Sequence, residues 1–138
     1  MALFESNSLI DGTQVTVPRW AQEGSTLVNI QDTVDDSSTR TSLYEVPAGK
    51  ILYITNVTIQ VYISTNVSSD TGTLIDYETS NRNLIQYSFA DTPEGTVIDL
   101  NFDSAPLYVL DELMWYSPNP STADYSIFVT ITGWTEDA

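Results

Sequence analysis

Residues 50–64 read KILYITNVTIQVYIS, and every odd position from 51 to 63 is apolar except Thr55. Because side chains of a β-strand alternate between its two faces, this period of two predicts a half-buried strand whose odd positions point inward. Leu52 and Ile54 predict that the first part of the strand is buried on both faces. At about 3.3 Å per residue the strand exceeds about 40 Å, so we expect a bulge or bend that lets it serve two sheets.

The same alternation returns near the C-terminus, where residues 125–131 are apolar at every odd position. No window of ten or more residues has a helical period. The pattern therefore predicts an all-β fold, an antiparallel sandwich or barrel, and of these we favour an antiparallel β-sandwich of jelly-roll type. Shorter candidate strands, separated by turn sequences rich in Pro, Gly, Asp and Asn, cover residues 14–17, 27–31, 41–46, 73–77, 83–89, 96–102 (with Ile98, Leu100 and Phe102 inward), 107–110 and 113–116.

Residues 1–39 differ from the rest, being rich in Ser, Thr, Asn, Gln and Asp with only short apolar islands. Islands this sparse cannot form a core of their own, but each could dock on a neighbouring surface. The alternative is that they are ordinary first strands of the same sandwich. We predict an extended N-terminal arm over residues 1–39 and a sandwich body over residues 40–138, with anchors for a partner at Leu3, Phe4, Val17, Arg19 and Trp20.

The composition excludes several classes of function. A net charge of −15 with only four Lys and Arg would repel nucleic acid and anionic membranes. With no Cys and no His, thiolate chemistry, Ser-His-Asp catalysis and His- or Cys-based zinc sites are absent. No apolar stretch approaches the roughly 20 residues of a membrane span, and the N-terminus has no secretory signal pattern. We predict a soluble protein of one domain that is not an enzyme and has no catalytic residue, cofactor or metal.

Carboxylates are the only plentiful groups that could carry chemistry, so we considered them as catalytic pairs and as calcium ligands. The pairs are Asp99 with Asp103, Asp111 with Glu112, and Asp76 with Glu78, and the acidic clusters are residues 32–36 and Asp91 with Glu94. The pairs lie at turns, strand ends or outward positions, and neither cluster has the spacing of an EF-hand loop. The sequence favours solvated acidic surface at all of them.

Aromatic residues offer another kind of site, because an exposed ring on a β-sandwich can stack on a sugar. Trp134 shares its parity with the polar positions of its strand, which places it outside the main core. Tyr116 points away from Trp115, which we expect to be buried with Leu113. Tyr116 and Trp134 are therefore the candidate glycan-binding residues, although large aromatics on strands more often lie in a core or a subunit interface.

Several segments together resemble a known group of proteins. They are residues 44–55, YEVPAGKILYIT, residues 105–112, APLYVLDE, followed by the strand 113–116, and the closing strand 127–133. This chain resembles the small jelly-roll structural proteins of tailed-phage virions, which include capsid decoration (cement) proteins and fibre-type domains. The resemblance covers residues 41–134 and leaves the arm unmatched.

The resemblance implies a protein that assembles, often as a homotrimer, on a preformed capsid and stabilises it through an arm. Its partners would be the major capsid protein or another virion protein, and its location the virion of a bacteriophage. The alternative hypothesis from a different class is a carbohydrate- or receptor-binding module that uses Tyr116 and Trp134.

Overall fold

The computed structural model describes residues 7–10, 13–16, 25–64, 71–78, 81–89, 92–118 and 125–138. All regular elements in these ranges are β-strands, which confirms the all-β prediction. The strands are β1 (Asn7–Ile10), β2 (Thr13–Thr16), β3 (Thr26–Asp35), β4 (Arg40–Glu45), β5 (Lys50–Ser64), β6 (Thr71–Tyr77), β7 (Asn81–Ser88), β8 (Val97–Asn101), β9 (Leu107–Val109), β10 (Glu112–Tyr116) and β11 (Tyr125–Asp137).

Strands β3 to β11 form two antiparallel sheets that pack against each other. One sheet has the order β3–β11–β5, with β8 and β9 both pairing with the far edge of β5, and the other has the order β4–β10–β6–β7. The antiparallel β-sandwich is therefore confirmed. The main core between the sheets consists of Ile30, Val34, Leu52, Ile54, Val57, Ile59, Val61, Leu74, Phe89, Val109, Leu113, Trp115, Tyr125, Ile127, Val129 and Ile131.

The strand pairs are nested along the chain. β6 pairs with β7, β5 with β8 and β9, β4 with β10, and β3 with β11. The chain is thus a long antiparallel ribbon whose successive pairs fall alternately in the two sheets. Among the described residues, strands β1 and β2 pair only with each other and form a separate two-stranded sheet.

Strand β5 (Lys50–Ser64) has the bounds that its sequence predicts, and the expected bulge is present. Thr55 and Tyr62 have no opposite residue on β11 because the register shifts at each of them. A bulge adds one residue and so exchanges the two faces of a strand. The fully buried positions are therefore Leu52 and Ile54 before Thr55, and odd positions after it.

Two predictions for β5 are wrong. Ile51 and Tyr53, expected to point inward, are only half-buried because the bulge at Thr55 reverses the alternation on which that expectation was based. The strand also does not serve two sheets, because its neighbours β8, β9 and β11 all belong to one sheet.

The bulge at Thr55 requires a glycine on the neighbouring strand. A Cβ atom at Gly133, which lies opposite Ile54, would stand 1.9 Å from the carbonyl oxygen of Tyr53. No side chain fits at that distance, so the close approach of β11 and β5 depends on glycine at this position.

Strand β3 corrects the predicted boundary of the arm. The composition predicts that residues 26–35 belong to the arm, yet they pair with β11 along ten residues and bury Ile30 and Val34 in the main core. For these residues the alternative prediction, an ordinary strand of the sandwich, is confirmed. The boundary lies before Thr26 because β11 is long enough to hold β3 on one side and β5 on the other.

Candidate functional site

The outer surface of the five-stranded sheet has a regular arrangement, which follows from the strand registers. Four rows of opposite residues cross β3, β11, β5 and then β8 or β9, all pointing away from the main core. We call these sixteen side chains the five-strand face. Its rows are Leu27–Trp134–Tyr53–Tyr108, Asn29–Thr132–Asn56–Asn101, Gln31–Thr130–Thr58–Asp99 and Thr33–Phe128–Gln60–Val97.

The five-strand face is poor in charge. Asp99 is its only charged residue, although the whole chain has 19 Asp and Glu among 138 residues. Its two middle rows otherwise carry only hydroxyl and amide side chains. Depletion of charge is the compositional mark of the central part of protein interfaces, so this face has the chemistry of a contact surface.

Exposed apolar residues concentrate on the same face. Leu27 is 63% exposed, Val97 59% and Tyr108 46%. Tyr62, the second bulge residue of β5, is 47% exposed, and its ring stacks on that of Phe128 with centroids 6.3 Å apart. Together these four residues are all but one of the large apolar side chains that the described part of the chain exposes. Apolar groups at both ends therefore border the polar middle of the face.

Asp99 is held by its neighbours on the face. Its Oδ1 accepts hydrogen bonds from Asn56 Nδ2 at 2.9 Å and from Thr58 Oγ1 at 3.1 Å. Asp103, its proposed catalytic partner, lies in the turn after β8, where Asn101 Nδ2 donates to its Oδ2 at 3.1 Å. The two carboxylates thus have separate local partners.

A groove of about 300 Å³ lies at one end of the five-strand face. Trp134 forms one wall, with its ring stacked on Tyr53 at a centroid distance of 5.1 Å and its Nε1 donating to Glu136 Oε2 at 3.0 Å. The expectation that Trp134 lies outside the main core is confirmed, but it is only 4% exposed and so offers little ring surface to a sugar. The groove is lined by Leu27, Val28, Asn29, Thr55, Thr132, Gly133 and Trp134.

The second glycan candidate is not near the first. Tyr116 lies on the outer surface of the other sheet, where the Arg40 guanidinium carbon stands 5.4 Å from its ring centroid. Tyr116 and Trp134 therefore face opposite sides of the sandwich and cannot contact one small ligand. Trp115, between them in the fold, is buried as expected, and its Nε1 donates to the Tyr125 hydroxyl at 2.8 Å.

Asp76 has a structural position that the sequence analysis missed. Only 1% of the residue is exposed, and its Oδ2 accepts from Arg82 Nη2 at 2.8 Å and from the Leu110 N–H at 2.9 Å, while Oδ1 accepts from the Asp111 N–H at 3.3 Å. Arg82 also donates to the Tyr108 carbonyl at 2.5 Å and lies 4.0 Å above that ring. The pair joins β6 and β7 of one sheet to β9 of the other.

This joint accounts for one of the proposed catalytic pairs, because Asp76 is fully engaged while Glu78 is exposed. The signal available in the sequence was a lone Asp inside the apolar strand TLIDY, followed six residues later by one of only four cations. A charge buried in a core needs such a partner.

Two further carboxylates, Glu112 and Asp35, accept hydrogen bonds from nearby serines. Glu112 Oε2 accepts from Ser42 Oγ at 2.6 Å, while Asp111 is exposed. The hydroxyl and then the backbone N–H of Ser37, both donating to Asp35 Oδ1, lower the pKa of Asp35, against a smaller opposing effect of burial.

The acidic clusters do not form a cation site in the part of the chain that is described. Asp32 Oδ1 accepts from the N–H of Thr33 at 2.9 Å, and Glu94 is exposed. Asp91 lies outside the described residues. Within the described ranges, no three His, Cys, Asp or Glu side chains are grouped so as to hold a metal ion.

Other predicted features fall outside what the structure describes. The arm anchors Leu3, Phe4, Val17, Arg19 and Trp20 are not among the described residues. The residues that are described include no helix long and apolar enough to cross a membrane.

No protein-family model matches this sequence, and comparison with curated proteins finds no match.

Proposed function

We propose that this protein is an accessory structural protein of a bacteriophage virion, which binds and stabilises a capsid or another viral shell. The observation that carries the proposal is the five-strand face, where a chain of net charge −15 presents one charged residue among sixteen and exposes Leu27, Val97 and Tyr108. Exposed apolar groups on a charge-poor surface are typical of a surface that contacts another macromolecule.

The nested strand order supports a jelly-roll topology. Eight strand positions, counting β8 and β9 as one interrupted strand beside β5, divide into two sheets of four. Jelly rolls of this size are used by viral capsid proteins and by lectins. The topology thus agrees with the resemblance to virion proteins, and it is a weaker support than the surface itself because one fold serves many functions.

In this proposal the partners are the major capsid protein or another virion protein and further copies of the chain, which form a homotrimer. The arm contributes apolar anchors, and several copies multiply a weak contact into a stable one. Each well-buried large anchor, such as Phe4 or Trp20, contributes about 1.5–3 kcal/mol. Nucleic acid and membranes are not partners in this proposal, because the acidic surface repels them.

Association in solution is the first test. Light scattering should give a closed oligomer for the full chain. A chain without residues 1–24 should form an assembly of fewer copies. The deletion must stop before β3, because loss of Thr26–Asp35 would remove a strand of the sandwich. Val97→Asp, on the face, should weaken association at least tenfold, whereas Ser104→Asp, in an exposed turn, should not.

The virion itself is tested by mass spectrometry of purified particles of the virus that encodes the chain. A fixed copy number in the particles is the expected result. Absence from the particles would reject the virion assignment. If the Val97→Asp variant binds to those particles as well as the natural chain does, the five-strand face is rejected as the contact surface.

A carbohydrate- or receptor-binding module is the second candidate. The observation that favours it is the pair of middle rows on the five-strand face, whose hydroxyl and amide groups can hydrogen-bond to sugar hydroxyls without charge. Binding to a glycan array that is lost in Asn29→Ala together with Thr132→Ala, but kept in Tyr116→Ala, would favour this candidate over the first.

A further inference from the structure

The long edge of the five-stranded sheet is open. β3 (Thr26–Asp35) is the outermost strand of its sheet, and among the described residues no strand pairs with its free side. Edge strands with unpaired N–H and C=O groups accept further strands unless something blocks them. The open edge of β3 is therefore a candidate interaction surface.

The other described edges are blocked in ways that β3 is not. β4 and β7 each contain a register shift, and each carries an arginine, Arg40 and Arg82. On the remaining edge, β8 and β9 are only five and three residues long. β3 has ten residues, no Pro, no Lys, no Arg and no shift in its ladder with β11. Its two charged residues, Asp32 and Asp35, lie beyond residue 31, so residues 26–31 lack the usual devices that prevent strands from joining edge to edge.

The backbone groups that point outward from this edge can be identified. Val61 donates to the Thr96 carbonyl at 2.8 Å and accepts from the Gly95 N–H at 2.8 Å, so odd residues of β5 beyond Thr55 bond on the side of β8. Even residues of β5 then bond to β11. Because bonding directions alternate along antiparallel strands, even residues of β3 bond to β11 and odd residues point outward.

The outward groups are thus the N–H and C=O of Leu27, Asn29 and Gln31. The next outward N–H, that of Thr33, already donates to Asp32 Oδ1 at 2.9 Å. The stretch of edge with free backbone groups therefore ends at Gln31. From residue 27 to residue 31 the edge spans roughly 14 Å at about 3.4 Å per residue. That length matches a strand of four to five residues.

The same chain contains two strands of that length that, among the described residues, join neither sheet of the sandwich. β1 (Asn7–Ile10) and β2 (Thr13–Thr16) have four residues each and pair only with each other. A hairpin of two strands is at best marginally stable alone in water, because it needs a third strand or a packed surface. The hairpin β1–β2 therefore has an open edge of its own and gains stability from a further strand.

Charge permits these two edges to meet between copies of the chain. Two molecules of net charge −15 repel each other over most of their surfaces. Residues 26–31 carry no charge, and residues 7–16 carry only Asp11. The two segments are thus places where copies can approach without opposing a dense negative surface.

We infer that the hairpin β1–β2 of one copy adds as a strand to the open edge of β3, at residues 27–31, of a second copy. This inference deepens the proposed function and rests on its element of self-association, and it names where the N-terminal segment of one subunit attaches to the next. A chain in which each molecule both gives a hairpin and offers an edge closes into a ring or continues as a filament.

Cross-linking between single-cysteine variants tests the inference, since the natural chain has no cysteine. Gln14→Cys on β2 is mixed with Asn29→Cys on β3 and treated with a short bis-maleimide, which tolerates a shift of register. A covalent pair of the two chains should form at least tenfold more than when Gln14→Cys is mixed with Asn101→Cys. Asn101 is exposed on the five-strand face but lies on β8, three strands away.

A matched pair of substitutions identifies the backbone contact. Asn29→Pro removes an outward N–H without removing a bond to β11, and proline is tolerated at such edge positions. Here Gln14→Cys is mixed with a second chain whose edge thiol is Gln31→Cys. Adding Asn29→Pro to that second chain should lower cross-linking at least tenfold, whereas adding Asn29→Ala should leave it unchanged. Thermal melting of both variants confirms that each is folded.

The outcomes separate this inference from the proposed function. If the full chain is an oligomer but Gln14→Cys links no better to β3 than to Asn101→Cys, the inference is overturned while self-association stands. If a chain carrying both Gln14→Cys and Asn29→Cys links within one molecule at any dilution, docking is within the chain and the inference is overturned. If the full chain is a monomer in every mixture, the inference fails together with the self-association in the proposed function, and the virion assignment is then decided by the purified particles.

Discussion

The outer surfaces of the two sheets differ in how much of their outward-pointing apolar side chains they expose. On the four-stranded sheet, Ile75 points outward yet is 0% exposed, and the Arg40 guanidinium carbon lies 4.9 Å from the ring centroid of Tyr77 and 5.4 Å from that of Tyr116, the residues in the rows on either side of it. On the five-strand face, Val97 and Leu27 stay exposed. The outward Ile75 of the first surface is thus buried, whereas Val97 and Leu27 of the second remain exposed.

This difference is the reason why we propose the five-strand face as the contact surface. An isolated exposed apolar residue needs no explanation, but their concentration on one charge-poor surface does.

The largest effect is expected at the joint that holds the two sheets together. Asp76→Ala leaves the N–H groups of Leu110 and Asp111 and the Arg82 guanidinium without their acceptor, and should lower the free energy of unfolding by about 3–5 kcal/mol. Asp99→Ala removes an exposed carboxylate from the five-strand face and should cost less than about 1 kcal/mol. Urea unfolding of both variants measures the difference, and equal costs would show that Asp76 is not a joint.

The next effect compares two outward apolar residues directly. Ile75→Ala should cost about 2–4 kcal/mol because the side chain is fully covered, whereas Val97→Ala should change stability by no more than about 0.5 kcal/mol. Both are measured by urea unfolding of the dilute monomeric species. A cost at Val97 similar to that at Ile75 would contradict the view that the five-strand face is uncovered in the single chain.

A smaller effect is expected at the aromatic wall of the groove. Tyr53 and Trp134 stack with planes 16° apart, and a double-mutant cycle of Tyr53→Leu and Trp134→Leu should give a coupling energy of about 0.5–1.5 kcal/mol. The matched cycle uses Tyr53→Leu and Phe128→Leu, whose residues lie in the first and the last row of the five-strand face. It should give a coupling energy near zero. A coupling near zero for both cycles would mean that the stacking adds nothing beyond burial.

The smallest effect is the pH dependence at the end of β3. Because Ser37 lowers the pKa of Asp35 in the folded state below its ordinary value of 3.8, the contact adds stability above that pH, and the addition is lost as the pH falls through the lowered pKa. Ser37→Ala should raise the pKa of Asp35 in an NMR titration and reduce stability at neutral pH but not in strong acid. Ser38→Ala, at an exposed neighbour, should do neither.

Part of the fold is encoded locally and part is not. The long strands at residues 50–64 and 125–137, the short strands between them and the burial of Trp115 all follow from alternation and turn residues. The sequence predicts an arm rather than a strand at β3, because polar residues such as Asn29, Gln31 and Asp32 leave only a short apolar island there. Its place in the sheet depends on pairing with β11, about 100 residues later in the chain, which no local pattern records.

The candidate surface could be predicted only in part. The parity of Trp134 placed it outside the main core, but the row that joins it to Leu27, Tyr53 and Tyr108 comes from four strands distant in sequence. The separation of Tyr116 and Trp134 on opposite sides likewise depends on which sheet each strand joins.

By itself the sequence determined that the chain forms an antiparallel all-β fold, that its surface is acidic, and that it lacks cysteine and histidine chemistry. These properties depend on composition and on a period of two residues, which neighbouring positions specify on their own. The tertiary structure decided the inversion at Thr55, the Asp76–Arg82 joint, the open edge of β3 and the grouping of exposed apolar residues on one face. Each of these results from pairing between distant strands, where the placement of a single bulge exchanges what is buried for what is exposed.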